Sequence, residues 1–263
     1  MNISIIIPIY NEEKHLDKFL ESLRQINYPK HKLQITIVDD GSSDNSAIIV
    51  EDFIKSNKAL NIKFLKNSEN KGHLYTRNLA ISNAVHDYVV CLDAHQILDK
   101  DLVYEFVEIH RKTKDDVIMG NILLESNSKI PKLNEIILKR IYGKNYISKD
   151  FDDYYIDSNN FDQSPKGAAI LFIKKSLYLE AEPNGISKNT SDDVKLFKNI
   201  VKIKGEFIRT SKAFSYYIGR EKLSEELKHI YSRGPKFVDY YFKSGTRYFY
   251  LLLLLLTSTI LMP

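Results

Sequence analysis

The chain has 263 residues, 43% of them hydrophobic and 27% charged, enough to bury the core of one large domain and unlike the make-up of a disordered segment. A net charge of +4 is too small by itself to argue for nucleic acid as a partner. That excess is local: between Lys228 and Arg247, five basic residues (Lys228, Arg233, Lys236, Lys243, Arg247) stand against one acid, Asp239.

Strand and helix signals alternate from the start. Ile3–Ile9 is an apolar, β-branched run that predicts a strand. Leu16, Phe19, Leu20, Leu23 and Ile26 then recur at three- and four-residue spacing, predicting a helix from about Glu12 to Ile26 with Asn11 as its N-cap. Leu33–Val38 is a second strand, followed by the turn DDGSSDNS and a helix carrying Ile48, Ile49, Phe53 and Ile54. Ile62–Leu65 is a third strand, and a helix near Tyr75–Val85 precedes a fourth strand, DYVVCL, which holds the single cysteine, Cys91. One buried thiol cannot form an internal disulfide and suits a reducing, cytosolic setting. After Asp99 a helix to about Lys112 and a strand over Val117–Leu124 continue the pattern. Residues 125–165 are polar and rich in Asn, Asp and Tyr, with few clear periods; Gly167–Lys175 returns as a strand, and a helix follows NTSDDVKLFKNI. Repeated strand–helix units with short polar turns predict an α/β fold with right-handed crossovers and a mostly parallel central sheet.

In such a sheet ligands bind at the carboxyl ends of the strands. Pro8–Glu12, Asp39–Asp44, Asn67–Gly72 and Asp93–His95 all fall on that edge. The loop after the first strand, PIYNEEK, has no G-x-G-x-x-G, and the chain has no G-x-x-x-x-G-K-[ST], so dinucleotide-dependent hydride transfer and P-loop chemistry lose their main support. Asp39 and Asp40 are adjacent acids at a strand end; an Asx-rich turn with Ser43 or Asp44 capping the next helix is the plain alternative. Side chains alternate along extended backbone, so Asp93 and His95 should point the same way with Ala94 opposite, a pair able to hold a divalent cation and leave positions open for phosphate and water. The plain alternative is a strand-end acid and a histidine that caps the next turn.

Taken in order, SIIIPIYNEEKHLDKFLESL, ITIVDDGSSDNS, NKGHLYTRNLAI and VVCLDAH resemble the family 2 glycosyltransferases of the GT-A fold, over about residues 1–220. The resemblance implies a Rossmann-like, mostly parallel sheet with flanking helices, divided into a nucleotide-sugar half (about 1–112) and an acceptor half (113–220). It implies an enzyme that moves a sugar from a nucleotide-sugar, UDP favoured over GDP, to a hydroxyl acceptor. The D-x-D of most relatives is D-x-H here, a variant also found in polypeptide N-acetylgalactosaminyltransferases and bacterial succinoglycan-type exopolysaccharide transferases. By position, Pro8, Tyr10 and Glu12 would border base and ribose, and Asp40, with Asp39 behind it, would face the nucleobase. Lys71 and Arg77 would approach the sugar-phosphate, with Arg77 opening onto the diphosphate; Arg220 belongs to the same donor set. Asp93 and His95 would hold the metal, Mn²⁺ ahead of Mg²⁺ because imidazole is the softer ligand. Asp193 corresponds to the general base, next to Asp192 where relatives usually carry Glu; an ordinary acidic first turn capped by Ser191 is the alternative. One base and no second carboxylate for a covalent intermediate imply inversion at the sugar carbon. Transfer to polyprenyl phosphate and a non-catalytic nucleotide-sugar-binding scaffold are the other two functions compatible with these blocks.

The start, MNISIIIPIYNEEK, does not read as a signal peptide: it has no basic n-region, and Pro8 breaks a short apolar run. Residues 221–247 mix basic and aromatic side chains, as suits the headgroup layer of an anionic bilayer. Residues 248–263, YFYLLLLLLTSTILMP, are uninterrupted apolar sequence, slightly short of the roughly 20 residues of a spanning helix. They are expected to anchor the chain at the cytoplasmic face of the membrane, where a glycan or lipid-linked acceptor would lie; a buried docking helix or an oligomer contact is the alternative.

Overall fold

The computed structural model describes residues 1–124, 128–143, 148–149, 151–183, 192–220 and 222–241. Strands β1 (Ile3–Ile9) and β2 (Leu33–Asp39) pair in parallel, residue for residue, from Ile3 against Leu33 to Ile9 against Asp39. Every residue of both is buried, including the polar Ser4, Gln34, Thr36 and Asp39, as in strands covered on both faces. β3 (Ile62–Lys66) lies outside β2, and β4 (Tyr88–Leu92) pairs with β1 on the other side, all parallel. The connecting helices are α1 (Glu13–Arg24), α2 (Ser46–Ser56) and α3 (His73–Ser82).

The second half contains β5 (Gln96–Leu98), α4 (Leu102–Thr113), β6 (Val117–Leu124), α5 (Lys129–Tyr142), β7 (Tyr154–Asp157), β8 (Ile170–Lys174), α6 (Lys175–Ala181), α7 (Asp192–Lys204), β9 (Glu206–Tyr217) and α8 (Leu223–Tyr241). The sheet order is β3-β2-β1-β4-β8-β6-β9-β5, with β7 also on β9. The sheet is mixed rather than mostly parallel: β8 runs antiparallel to both β4 and β6, and β9 takes antiparallel partners in β5 and β7 while pairing in parallel with β6. A strand buried on both faces has the same apolar composition in either direction, so its orientation could not be read from GAAILFIKK. Two reversals restore direction. β6 and β9 run the same way as β1–β4, and their carboxyl ends reach the same edge of the sheet.

Helices cover both faces. Phe19 of α1, Val50 of α2 and Phe106 of α4 pack with Ile5, Ile7 and Phe172 on one side; Ile81 of α3, Tyr178 of α6 and Phe197 of α7 pack with Ile6, Cys91 and Leu171 on the other. Three boundaries differ from expectation. Asn11 is not the cap of α1: it takes a left-handed φ of 54° and Glu12 occupies the cap position. α3 starts at His73, two residues earlier than its apolar spacing suggested. Residues 125–165 hold a 14-residue amphipathic helix, α5, and a strand, β7. The expected membrane anchor, 248–263, lies outside the described residues, among which no helix is long and apolar enough to cross a membrane.

Candidate active site

Three loops at the carboxyl edge are laced together. Asn11 N–H donates to Ser42 Oγ (2.9 Å), Glu12 N–H to Ser46 Oγ (2.8 Å), and Glu13 N–H to Asp44 Oδ2 (3.1 Å). In return Asn11 Oδ1 accepts from Ser43 N–H (2.8 Å) and Glu13 Oε2 from Asn45 N–H (3.0 Å). Asp40 is buried and fastens the third loop: its carboxylate accepts from Lys71 N–H and Gly72 N–H, both at 2.8 Å, and from Asn67 Nδ2 at 2.9 Å. Asp39, equally buried, accepts at Oδ1 from Ser42 N–H (3.1 Å) and Ser42 Oγ (2.5 Å). Gly41 between them has φ +70°, and a Cβ there would come within 2.6 Å of the Glu69 backbone, so no other residue fits the turn. The adjacent acids thus shape the loops. Asp40, expected to face the nucleobase, spends its carboxylate on backbone N–H groups.

At the end of β4 the D-x-H pair follows the expected alternation: Asp93 and His95 are partly exposed, while Ala94 and Gln96 between and after them are buried. The buried Gln96 amide holds this turn, donating to Asp93 O (2.9 Å) and Ala169 O (2.8 Å) and accepting from Ser215 Oγ. His73, at the first position of α3, places Nε2 3.3 Å from Asp93 Oδ1. Burial would push the Asp93 carboxyl up; the hydrogen bond and charge of His73, with the charges of His95 and Arg77, outweigh it and hold the group well below the usual carboxylate range. His95 Nδ1 lies 3.4 Å from Glu12 Oε1, and its ring meets Tyr217 edge-on at 5.0 Å between centroids. A carboxylate and an imidazole two residues apart, both partly exposed, are donor types that suit a divalent transition metal. Among the described residues no group of three His, Cys, Asp or Glu closes a protein-only cage, so such an ion would take its remaining ligands from phosphate and water.

Arg77 does not open onto the edge. Its side chain is 1% exposed, its Nη1 donates to Asp193 Oδ1 at 2.7 Å, and its Nη2 lies 3.1 Å from His73 Nδ1. Asp193, 25% exposed, accepts at Oδ2 from Ala168 N–H at 3.1 Å. An unbroken chain, Asp93–His73–Arg77–Asp193, therefore joins the acid of the first half to the acid of the second. The Asp192 side chain and Ser191 lie outside the described residues. Pro8 is buried within β1, one turn of the pleat below the exposed Tyr10. The Lys71 ammonium sits 5.1 Å from the centre of the Tyr75 ring, and Arg220 Nη1 donates to Tyr217 Oη at 2.8 Å, behind His95. His73 and Gln96 carry no spacing signal in the sequence, and Asn67 was marked only as the first residue of an edge loop, without its part in holding Asp40.

Parallel strands whose carboxyl ends gather acids and imidazoles, continued by a curled mixed half, define a GT-A-like fold. The family model described as Glycosyl transferase family 2 matches residues 4–172, and the chain belongs to that family. It is 34% identical over 129 residues, 49% of its length, to the poly-beta-1,6-N-acetyl-D-glucosamine synthase of Staphylococcus epidermidis (strain ATCC 35984), of which the match covers 30%. Among solved structures it resembles S. aureus TarS 1-349 in complex with UDP-GlcNAc, with a TM-score of 0.65 at 20% identity over 84% of this chain and 60% of that one. It also resembles the mannosyltransferase PcManGT from Pyrobaculum calidifontis in complex with GDP-Man and Mn²⁺, with a TM-score of 0.62 at 15% identity over 86% and 59%. The matched segment spans less than a third of the length of that synthase.

Proposed function

We propose that residues 1–220 form the catalytic domain of an inverting, metal-dependent glycosyltransferase that moves a sugar from a UDP-sugar to a hydroxyl of a bacterial surface polysaccharide or glycoconjugate. The observation that carries this reading is the chain Asp93–His73–Arg77–Asp193, which fixes a donor-side acid and an acceptor-side acid relative to one another at the ligand edge. The nucleotide-sugars and the Mn²⁺ named with the similar structures support the choice of donor and of a divalent metal.

Tyr10 and Glu12 border the nucleoside on a wall stiffened from beneath by Pro8, Asp39 and Asp40. Lys71 and Arg220 are the cations assigned to the sugar-phosphate. Asp93 and His95 would hold the divalent ion, Mn²⁺ preferred, which when bound stabilises the charge growing on a departing diphosphate. Asp193, with Asp192 beside it, receives the acceptor proton. Arg77 and the Ala168 N–H each occupy one lone pair of its carboxylate, and a second lone pair on Oδ2 remains to accept a hydroxyl proton. A base of this kind contributes about 10²–10⁴-fold. With Asp193 acting as base and not as nucleophile, displacement is direct and the sugar carbon inverts. Residues 221–263 bring the domain to the cytoplasmic face of a membrane, where the acceptor is lipid-linked.

Incubating the protein with UDP- and GDP-sugars and Mn²⁺, and following release of nucleoside diphosphate, tests the reading. Turnover that requires both metal and one UDP-sugar is expected, whereas binding without turnover would mark a scaffold. A second reading has a specific observation in its favour. Both oxygens of Asp193 already accept a hydrogen bond, which suits an orienting acid, and a polyprenyl phosphate acceptor is already an anion and needs no base. Asp193→Asn separates the two: a loss of 10²-fold or more in transfer fits hydroxyl attack at about the magnitude of general-base catalysis, and a mild effect fits attack by phosphate.

A further inference from the structure

Two helices of the second half expose apolar side chains at helical spacing. On α8, Leu223, Leu227, Ile230 and Tyr231 are each more than half exposed, at positions i, i+4, i+7 and i+8. On α5, Leu133 and Ile136 are likewise more than half exposed, one turn apart. A helix of a globular domain normally turns such a stripe inward; here both stripes face outward. The helices start close together, since Gly219, four residues before α8, is packed against the Pro131 ring in the first turn of α5.

Their position bears on the site. The first turn of α8 is tied to the ligand edge through Glu225, 3.5 Å from Lys14 of α1, and through Glu226, 4.0 Å from Arg220. Arg220 in turn holds Tyr217, whose ring meets His95. α5 carries Lys129, Lys132, Lys139 and Arg140 against one acid, Glu135, which is paired with Lys139. Beyond α8 the sequence runs into the aromatic and leucine-rich residues 248–263. Outward apolar stripes, a basic surround and an apolar continuation are the attributes of helices that lie in a lipid headgroup layer.

We propose that α5 and α8 form a lipid-docking face that seats the mouth of the site on an anionic bilayer surface, independently of any anchoring by residues 248–263. This deepens the membrane reading given above, and its consequence is geometric: the acceptor half meets the membrane, so a lipid-linked acceptor enters along the surface.

The test uses the full chain. Cys91 is buried and burial pushes its thiol up to about 12, so an introduced cysteine is the one that takes a label. Leu133→Cys, Ile136→Cys, Leu227→Cys and Ile230→Cys are labelled with an environment-sensitive fluorophore, with Ile48→Cys on the exposed face of α2 as control. Vesicles of phosphatidylglycerol and phosphatidylcholine with brominated acyl chains are then added. A blue shift and quenching at the four helix sites and not at position 48 is expected, and adding Leu227→Glu should abolish the response at 230 with donor hydrolysis unchanged. Sedimentation of the chain with vesicles while all four labels stay unquenched would overturn the docking face and leave the tail as the anchor. Failure to sediment at all would overturn both. A shift that grows with protein concentration and needs no lipid would assign the stripes to a second copy of the chain and refute the proposal. Loss of metal-dependent hydrolysis in the unmodified chain would instead strike at the enzymatic reading.

Discussion

The Arg77–Asp193 pair should behave asymmetrically when broken. Arg77 is 1% exposed and Asp193 is 25% exposed, with Nη1 and Oδ1 2.7 Å apart. Asp193→Ala takes away the carboxylate that receives a guanidinium sunk between α3 and α7, and stranding one partner of a buried pair costs about 3–5 kcal/mol. Arg77→Met refills most of the volume and leaves a carboxylate that still accepts from Ala168 N–H and reaches water, so the loss is that of a charged hydrogen bond, about 1.5–3 kcal/mol. For a domain of this size the first figure corresponds to a fall in Tm of about 6–20 °C. The combined variant, Arg77→Met with Asp193→Ala, removes both charges and should recover much of the loss, since a buried pair replaced by apolar groups is often neutral. Calorimetry of the four proteins decides it. Equal melting temperatures for the two single variants, or additive losses in the double variant, would refute the claim that the guanidinium depends on Asp193.

Gly41→Ala combines a positive φ with a collision against the Glu69 backbone and should cost about 1–3 kcal/mol, read by urea denaturation; a neutral outcome would show that the loop joining β3 and α3 can retreat. Wild type should bind and use Mn²⁺ better than Mg²⁺, and His95→Asp should narrow the gap, measured by Mn²⁺ electron paramagnetic resonance and by donor hydrolysis; equal preference in wild type removes His95 from the metal site. Burial pushes the Lys166 ammonium down to about 8, against 10.5 when unperturbed, with Asp162 partly opposing the shift. Between those values the unfolded chain binds the extra proton, so stability rises with pH through that window. Relative to Lys166→Met, wild type should therefore gain stability between about pH 8 and pH 10.5, and a constant difference in paired melts would contradict the assignment.

The first half was readable because its physics is local. Mostly apolar, β-branched runs bounded by polar turns mark β1, β2 and β4 as covered strands and β3 as a half-exposed edge strand, and four strands separated by helices place their carboxyl ends together. The second half resisted for two reasons. β8 is buried on both faces and carries no mark of its direction, so the reversal that makes the sheet mixed was invisible. α5 was overlooked although Ile130, Leu133, Ile136 and Ile137 recur at helical spacing: it is set in a polar stretch, and Pro131, tolerated in its first turn, reads in sequence as a break.

Arg77 was misplaced for a different reason, and its true position was within reach. Thr76, Arg77, Ala80 and Ile81 are the buried residues of α3, the spacing of one helix face turned toward the sheet. Placing Arg77 by its position in the family pattern gave the resemblance precedence over its register on the helix. A guanidinium on an inward face must bring its own acid, and α7 supplies Asp193 from 116 residues away. The pair predicted to act on two different ligands is instead one structural unit, and His73, one turn before Arg77 on the same helix, passes that constraint to Asp93. His73 and Arg77 thus tie Asp193 to Asp93 along α3, and under the proposed roles of those two acids a movement at one is passed through this chain to the other.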